Sequence, residues 1–332
     1  RYNAMAGFRT KALSALPQAA QIFLSDGATP AVGHIVRQPE LAATLASIAA
    51  DGAESFYRGE LAQRLVSGVA EAGGNWSLED LASYQVKQRP PIVSQYHDIR
   101  VVSAPPPSSG GIVLAEAFNI LERYDLNAMA EIERKHVVIE AMRRAYRDRA
   151  DFLGDPDFTE IPTAKLLAKS YADWLARDLD PKRATPSSTL PPIGLKPEGE
   201  DTTHFSVMDA AGNRVAATLS INYPFGAAVV AGDTGVLLNN EMDDFSARPL
   251  TPNAYGLVGA GANAIAPGKR PLSSMTPTFL EAPGRIGIIG TPGGSRIISM
   301  VLIGALEFAR GNSPQAWVSA QRYHHQYLPD EV

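Results

Sequence analysis

The chain contains no cysteine among its 332 residues. Disulfides and thiolate metal sites are therefore excluded, while no compartment is selected. No apolar run approaches the roughly 20 residues that cross a bilayer. The longest, at 297–308, is interrupted by Ser299 and Gly304 and reads as a core helix. Charged residues are only 20% of the chain and net charge is −5, with signs interspersed. No basic patch or like-charge run is present, so nucleic acid is not an expected partner. The six histidines are scattered, and neither a metal nor a cofactor is expected. A Gly-x-Ser-x-Gly elbow is missing, which leaves a Ser-His-Asp hydrolase little support. No solenoid period is present. No signal peptide is visible, and because Arg1-Tyr2-Asn3 reads as mid-domain, further chain is expected before it.

What is present is ordinary globular composition, 45% hydrophobic, in a chain long enough for one large domain or two. Apolar spacing predicts helices over 39–51 and 54–72, the second closed by Gly73-Gly74. A short helix follows the N-cap Ser77. Further helices are expected over 112–123, 128–152 and 163–179. In the long helix at 128–152, Val137, Ile139, Ala141, Met142, Ala145 and Tyr146 form the expected buried face. Arg143, Arg144, Arg147 and Arg149 form the expected solvated one. Residues 92–102 read as a strand pair. Residues 181–200 hold five prolines and two glycines and read as an exposed connector open to cutting. Beyond it the texture turns to β. Phe205, Val207, Val215, Ala217, Leu219 and Ile221 alternate around a turn at 209–213 and predict a hairpin. Strands are expected at 236–238, 276–280 and 285–289, and helices at 296–310 and from Ser313-Pro314. Helices, then hairpins, then helices imply a sheet covered by helices.

Four stretches could carry chemistry. At the junction after the connector, Asp201-Thr202-Thr203 has two readings. A strand can begin there after a linker, or the bond before Thr202 is cut and Thr202 becomes a nucleophile that carries its own base. Residues 239–245 are dense in short polar groups, including Glu241 and Asp244. Such groups can grip an ammonium or amide, or they can make a hydrogen-bonded turn. Ser273 and Ser274 follow Pro271 and can serve a carboxylate, or can be loop serines. Gly293-Gly294 lies between a predicted strand and a predicted helix. Its N–H groups stand in a positive helix-end field, as an oxyanion site requires. The Lys-Ser or Lys-Thr pair of a phosphate loop is absent.

Taken in order, segments 105–111, 154–158, 202–207, 237–247, 269–277, 290–297 and 322–330 resemble the gamma-glutamyltranspeptidases over most of the chain. The resemblance implies the α+β class, as an αββα four-layer sandwich of the N-terminal nucleophile hydrolase type. It implies a precursor that cuts itself between Asp201 and Thr202. Residues 1–201 would then be the later part of a large subunit, ending in an exposed linker at about 181–201. Residues 202–332 would be the small subunit, with the pair intertwined in one domain. It also implies transfer of a γ-glutamyl group from glutathione or a related amide, through an acyl ester on Thr202, to water or an amino acid or peptide. No cofactor takes part. Gly293 and Gly294 match the family's oxyanion donors. Asn222, Glu241 and Asp244 match the residues on the donor's α-amino end, and Ser273 and Ser274 those on its α-carboxylate. Tyr255 matches a lid, while Thr203 and Ser220 match supporting hydroxyls. The family's carboxylate-binding Arg lies upstream of this chain, the family continues beyond Val332, and its members are often periplasmic or secreted. A cephalosporin acylase of the same superfamily is the nearest rival; it would take a glutaryl side chain that lacks the amine. An uncut, non-enzymatic relative is another. Glu241 and Asp244 favour a donor bearing an ammonium group.

Overall fold

The computed structural model describes residues 2–190, 202–246 and 261–332. The expectations for Asp201 and Tyr255 lie outside the described residues. The chain forms two compact units, 1–88 with 221–240, and 89–220 with 241–332. Neither divides at Thr202, since each takes chain from both sides of it.

The first unit is helical: α1 (Tyr2–Leu13), α2 (Pro17–Phe23), α3 (Pro39–Asp51), α4 (Ala53–Tyr57), α5 (Glu60–Glu71) and α6 (Leu78–Ala82). One core gathers Leu13, Phe23, Leu24, Phe225 and Val230; another gathers Leu61, Leu65, Val69 and Ala231. The single helix expected over 54–72 is two. The Arg58 and Gly59 N–H groups both donate to the Glu54 carbonyl, closing α4 before α5 starts. The strand expected at 236–238 is one isolated bridge, Val230 to Leu237. Ser77 caps α6 with a full capping box to Asp80.

The second unit contains β1 (Ile92–Tyr96), β2 (Ile99–Ser103), α7 (Gly110–Leu121), α8 (Glu131–Phe152), α9 (Thr163–Leu166), α10 (Lys169–Ala176), β3 (Thr203–Met208), β4 (Arg214–Leu219), β5 (Thr278–Ala282), β6 (Arg285–Ile289), α11 (Ile297–Ala309) and α12 (Pro314–Ser319). The antiparallel sheet order is β1-β2-β5-β6, and β3 pairs with β4 as the predicted hairpin. Helix α7 packs on β1 and β2, α11 on β5 and β6, and α8 on α7. Along β5, Thr278 and Leu280 are buried, whereas Phe279 and Glu281 on the opposite face meet Arg214 of β4. Helices therefore cover one face of the four-stranded sheet and the hairpin lies on the other, an α+β arrangement. The helix expected over 163–179 breaks at Ala168, whose extended backbone starts α10. Asn119 of α7 caps the break by donating to the Leu167 carbonyl at 3.0 Å.

The expected solvated face of α8 is a correction. Arg143, Arg144 and Arg149 are buried, as are Glu140 and Asp148. Arg144 donates to Glu140 at 2.6 Å and to the Leu175 carbonyl at 2.7 Å, so its charge is compensated inside the fold. Burial is made tolerable by a carboxylate one turn away in α8 and by acceptors on other elements.

The segment 322–330 closes on the same helix. Arg143 bonds Asp330, which also accepts from the Ser187 N–H at 2.8 Å. His324 bonds Ser299 of α11 at 2.6 Å, and His325 faces Asp330 at 3.2 Å. Burial pushes both histidines down to about 4, assisted at His325 by the neighbouring Arg143 charge. Burial opposes ionisation of Asp330, but the bonds from Arg143 and Ser187 outweigh it and hold the carboxyl at about 2. Neutral histidine is thus favoured in the fold. The associated stability is complete above the unfolded histidine value of about 6.5 and drains as pH falls toward about 4; the Asp330 share drains below about 3.9. Urea denaturation between pH 7 and 4 is expected to lose on the order of a few kcal/mol, and His324→Gln with His325→Gln should flatten that slope. An unchanged slope would mean that other groups control acid unfolding.

Candidate active site

Thr202 stands half-buried one residue before β3, and its Oγ1 lies 3.3 Å from Oγ of Ser220, one residue after β4. The hairpin register explains the pairing, because Thr203 opposes Leu219 and the two hydroxyl residues flank that pair. Thr203 itself is exposed on β3.

The end of β6 approaches the same place. A side chain on Gly290 would sit 2.2 Å from the His204 ring, so only glycine admits this contact. Three residues later comes Gly293, with φ of 144°, then Gly294, with φ of 53°. Both dihedrals favour glycine. They turn the chain into the short helix Gly294–Arg296 that leads into α11. Among the described residues, neither glycine N–H has a protein acceptor. Two unspent donors at a helix N-terminus can stabilise a developing oxyanion. Tyr146 of α8 steadies the turn by donating to the Ser295 carbonyl at 2.5 Å.

Glu241 and Asp244 share one turn of helix, 241–244. Burial, with the Glu241 charge beside it, raises the Asp244 carboxyl well above the usual range; Arg149 opposes the rise. Asn263 ties this turn to the serine loop. Its Nδ2 donates to the Asp244 carbonyl at 2.8 Å and its Oδ1 accepts from the Leu272 N–H at 3.0 Å.

Ser273 and Ser274 follow. Ser273 Oγ accepts from the Met275 N–H at 3.0 Å. Ser274 Oγ, on a residue only 9% exposed, accepts from Arg149 Nη2 at 3.1 Å. The loop at 105–111 clamps the pair, since the Ser109 N–H and Oγ–H both donate to the Ser273 carbonyl at 2.8 Å. Asp155, in the 154–158 motif, accepts from the Arg270 N–H at 2.9 Å and fixes the loop's start.

Ser274 thus bonds Arg149, Asp244 feels its charge with Glu241 beside it, and Thr202 pairs with Ser220. Asn222 belongs to the first unit, where it is 2% exposed, has φ of 69° and donates to the Asn240 carbonyl at 3.0 Å.

Tyr146, Arg149, Ser109, Asp155 and Asn263 escaped the sequence reading as site residues. A signal existed for Arg149: Val138, Met142 and Ala145 recur at spacings of four and three, and four more residues reach Arg149. That is the rhythm of one buried stripe.

The family model for gamma-glutamyltranspeptidase matches residues 2–332. The glutathione hydrolase proenzyme of Pseudomonas sp. (strain A14) is 45% identical over 316 residues, 94% of this chain and 55% of that protein. The glutathione hydrolase proenzyme of Escherichia coli (strain K12) is 43% identical over 318 residues, 94% of this chain and 54% of that protein. Among solved structures, a cephalosporin acylase from Bacillus halodurans superposes with a TM-score of 0.80 at 30% identity, over 97% of this chain and 57% of that one. The chain spans about half the length of the curated relatives it matches.

Proposed function

The chain belongs to the gamma-glutamyltranspeptidase family, and on that premise we propose that the full-length protein is a self-processing γ-glutamyl hydrolase and transferase with Thr202 as nucleophile. The observation that carries this reading is the pairing of two opposite subsites. Ser273 and Ser274 each accept a hydrogen bond from a protein donor, and among the described residues neither hydroxyl hydrogen has a protein acceptor. They therefore offer two donors to an acceptor-only group such as a carboxylate. Glu241 and Asp244, held beside them through Asn263 and Arg149, suit an ammonium group. A carboxylate next to an ammonium is the α-carbon end of a glutamyl group.

In this reading Thr202 Oγ1 first attacks the carbonyl carbon of residue 201. The acyl group shifts from nitrogen to oxygen, which frees the Thr202 α-amine, and water then cleaves the ester to release residue 201 as a carboxylate and restore the Oγ1 hydroxyl. That amine, ordinarily of pKa about 7.7–8.0, takes the Oγ1 proton near neutral pH. Oγ1 then attacks the donor's γ-carbonyl. The Gly293 and Gly294 N–H groups receive the oxyanion, and the proton passes to the departing amine. Water or an amino acid or peptide releases the glutamyl group. Ser220, 3.3 Å from Oγ1, orients the nucleophile. Asn222 is assigned to the donor's amino end and Tyr255 to a lid on the family resemblance, as is export to the periplasm or medium. The products of the cut form a large and a small subunit.

The relatives' name, glutathione hydrolase proenzyme, supports both the hydrolysis and the cut. An acylase acting on a glutaryl side chain is the second reading, supported by the Bacillus halodurans superposition. Such a donor has no ammonium for Asp244. Incubating the full-length protein, with intact mass and N-terminal sequencing, should yield a small subunit that begins at Thr202. Glutathione should be turned over in preference to glutaryl-cephalosporin; the opposite preference would favour the acylase. Asp244→Ala should raise the KM for glutathione about tenfold or more, because a hydrogen bond to a charged group contributes about 1.5–3 kcal/mol. An unchanged KM would remove Asp244 from the donor site.

A further inference from the structure

Arg149 is 3% exposed, and among the described residues its two hydrogen bonds both go to neutral hydroxyls, Nε to Ser109 Oγ at 2.9 Å and Nη2 to Ser274 Oγ at 3.1 Å. Among the described residues no carboxylate stands within ion-pair distance of it, although the Asp244 charge is near enough to be felt. Burial drives its pKa down to about 10, so the cation is held at a cost. A buried arginine without an ion pair is unusual, and the other buried arginines of α8, Arg143 and Arg144, both have carboxylate partners.

The bond polarity gives this arrangement a use. Guanidinium has no acceptor, and a hydroxyl has a single proton. With Arg149 donating to Ser274 Oγ, the Ser274 hydrogen must point away from Arg149, and no described protein group takes it. Ser109 is set in the same sense: it accepts from Arg149 and spends its own hydrogen on the Ser273 carbonyl. The buried cation also polarises the Ser274 O–H, which strengthens it as a donor.

We infer that Arg149 is a positioning residue that fixes Ser274 as a hydrogen-bond donor and so makes the subsite select a carboxylate over its neutral carboxamide. The inference rests on the glutamyl reading of the site. A carboxylate oxygen only accepts, whereas the NH2 of an amide would meet the outward Ser274 hydrogen with hydrogens of its own. The anion also gives the buried Arg149 charge an ion-pair partner, which it lacks among the described residues.

The test uses the full-length, self-processed protein and two chromogenic donors, γ-glutamyl-p-nitroanilide and its α-carboxamide analogue. The quantity read is the ratio of kcat/KM values, carboxylate over carboxamide. Arg149→Met should lower that ratio about tenfold or more, mainly through the KM of the carboxylate donor. In a Ser274→Ala background the same substitution should change the ratio less than about twofold, since the hydroxyl it orients is gone. Arg149→Lys keeps the charge but cannot reach both serines in the guanidinium geometry; it should lower the ratio by less, and it carries the test if the methionine variant does not fold. Equal losses with and without Ser274, or an unchanged ratio, would overturn the positioning role. Wild-type protein that leaves the anilide untouched would instead refute the glutamyl reading, and the carboxylate role of Arg149 with it.

Discussion

Thr202→Ala is expected to leave the full-length chain uncut and to lower turnover of a γ-glutamyl donor on the order of 10⁴-fold or more. Both effects follow from one atom, because in the proposed mechanism Oγ1 attacks the preceding carbonyl during maturation and the donor carbonyl during catalysis. The neighbouring hydroxyl of Ser220 is not expected to take over: its Oγ is 3.3 Å away, but it follows β4 in mid-chain and carries no α-amine to act as base. Thr202→Ser should keep both activities at reduced rates, which separates loss of the nucleophile from loss of the strand. Intact mass follows the cut and anilide release follows turnover. Normal processing of the alanine variant would remove Thr202 from both roles.

Gly293→Ala is expected to lower kcat by about 10²–10³, the usual loss when one oxyanion donor is displaced. With φ of 144°, position 293 lies where a side chain is strained, and an added Cβ would sit 3.0 Å from Met300 Cε. The strain costs about 1–3 kcal/mol or is relieved by rotating the peptide, which re-aims the N–H. KM should change little, because the proposed subsites for the carboxylate and ammonium ends lie on other loops. Maturation should slow in parallel if the proposed donors also serve the oxyanion of the self-cleavage step. Adding Met300→Ala removes the steric contact and leaves the dihedral unchanged, so it should not restore kcat. A variant with full kcat would mean that the oxyanion is stabilised elsewhere.

The hairpin of β3 and β4 and the Gly-Gly turn before α11 could be read directly from residue order, because period-two alternation and turn residues act within a few positions. Thr202 stood out for a similar reason, as a hydroxyl pair where a Pro-rich connector meets a strand. The order of the seven motifs carried the family. Helix ends were less faithful. The breaks at Arg58 and Ala168 depend on carbonyls being satisfied by Gly59 and by Asn119 of a distant helix.

Residue order by itself therefore determined the local elements, the candidate nucleophile and the Gly-Gly turn, all products of short-range sterics and patterning. Only the tertiary structure decided that the arginine face of α8 is interior, and that β2 pairs with β5 across nearly the whole middle of the chain. It alone brought Ser109 and Ser274 to Arg149 from 40 and 125 residues away. An arginine in a helix reads as solvated until its acceptors are known. Glu140 compensates Arg143 and Arg144 from within α8, but the acceptors of Arg149 lie on other elements, and burial of a charge is decided by the partners that compensate it.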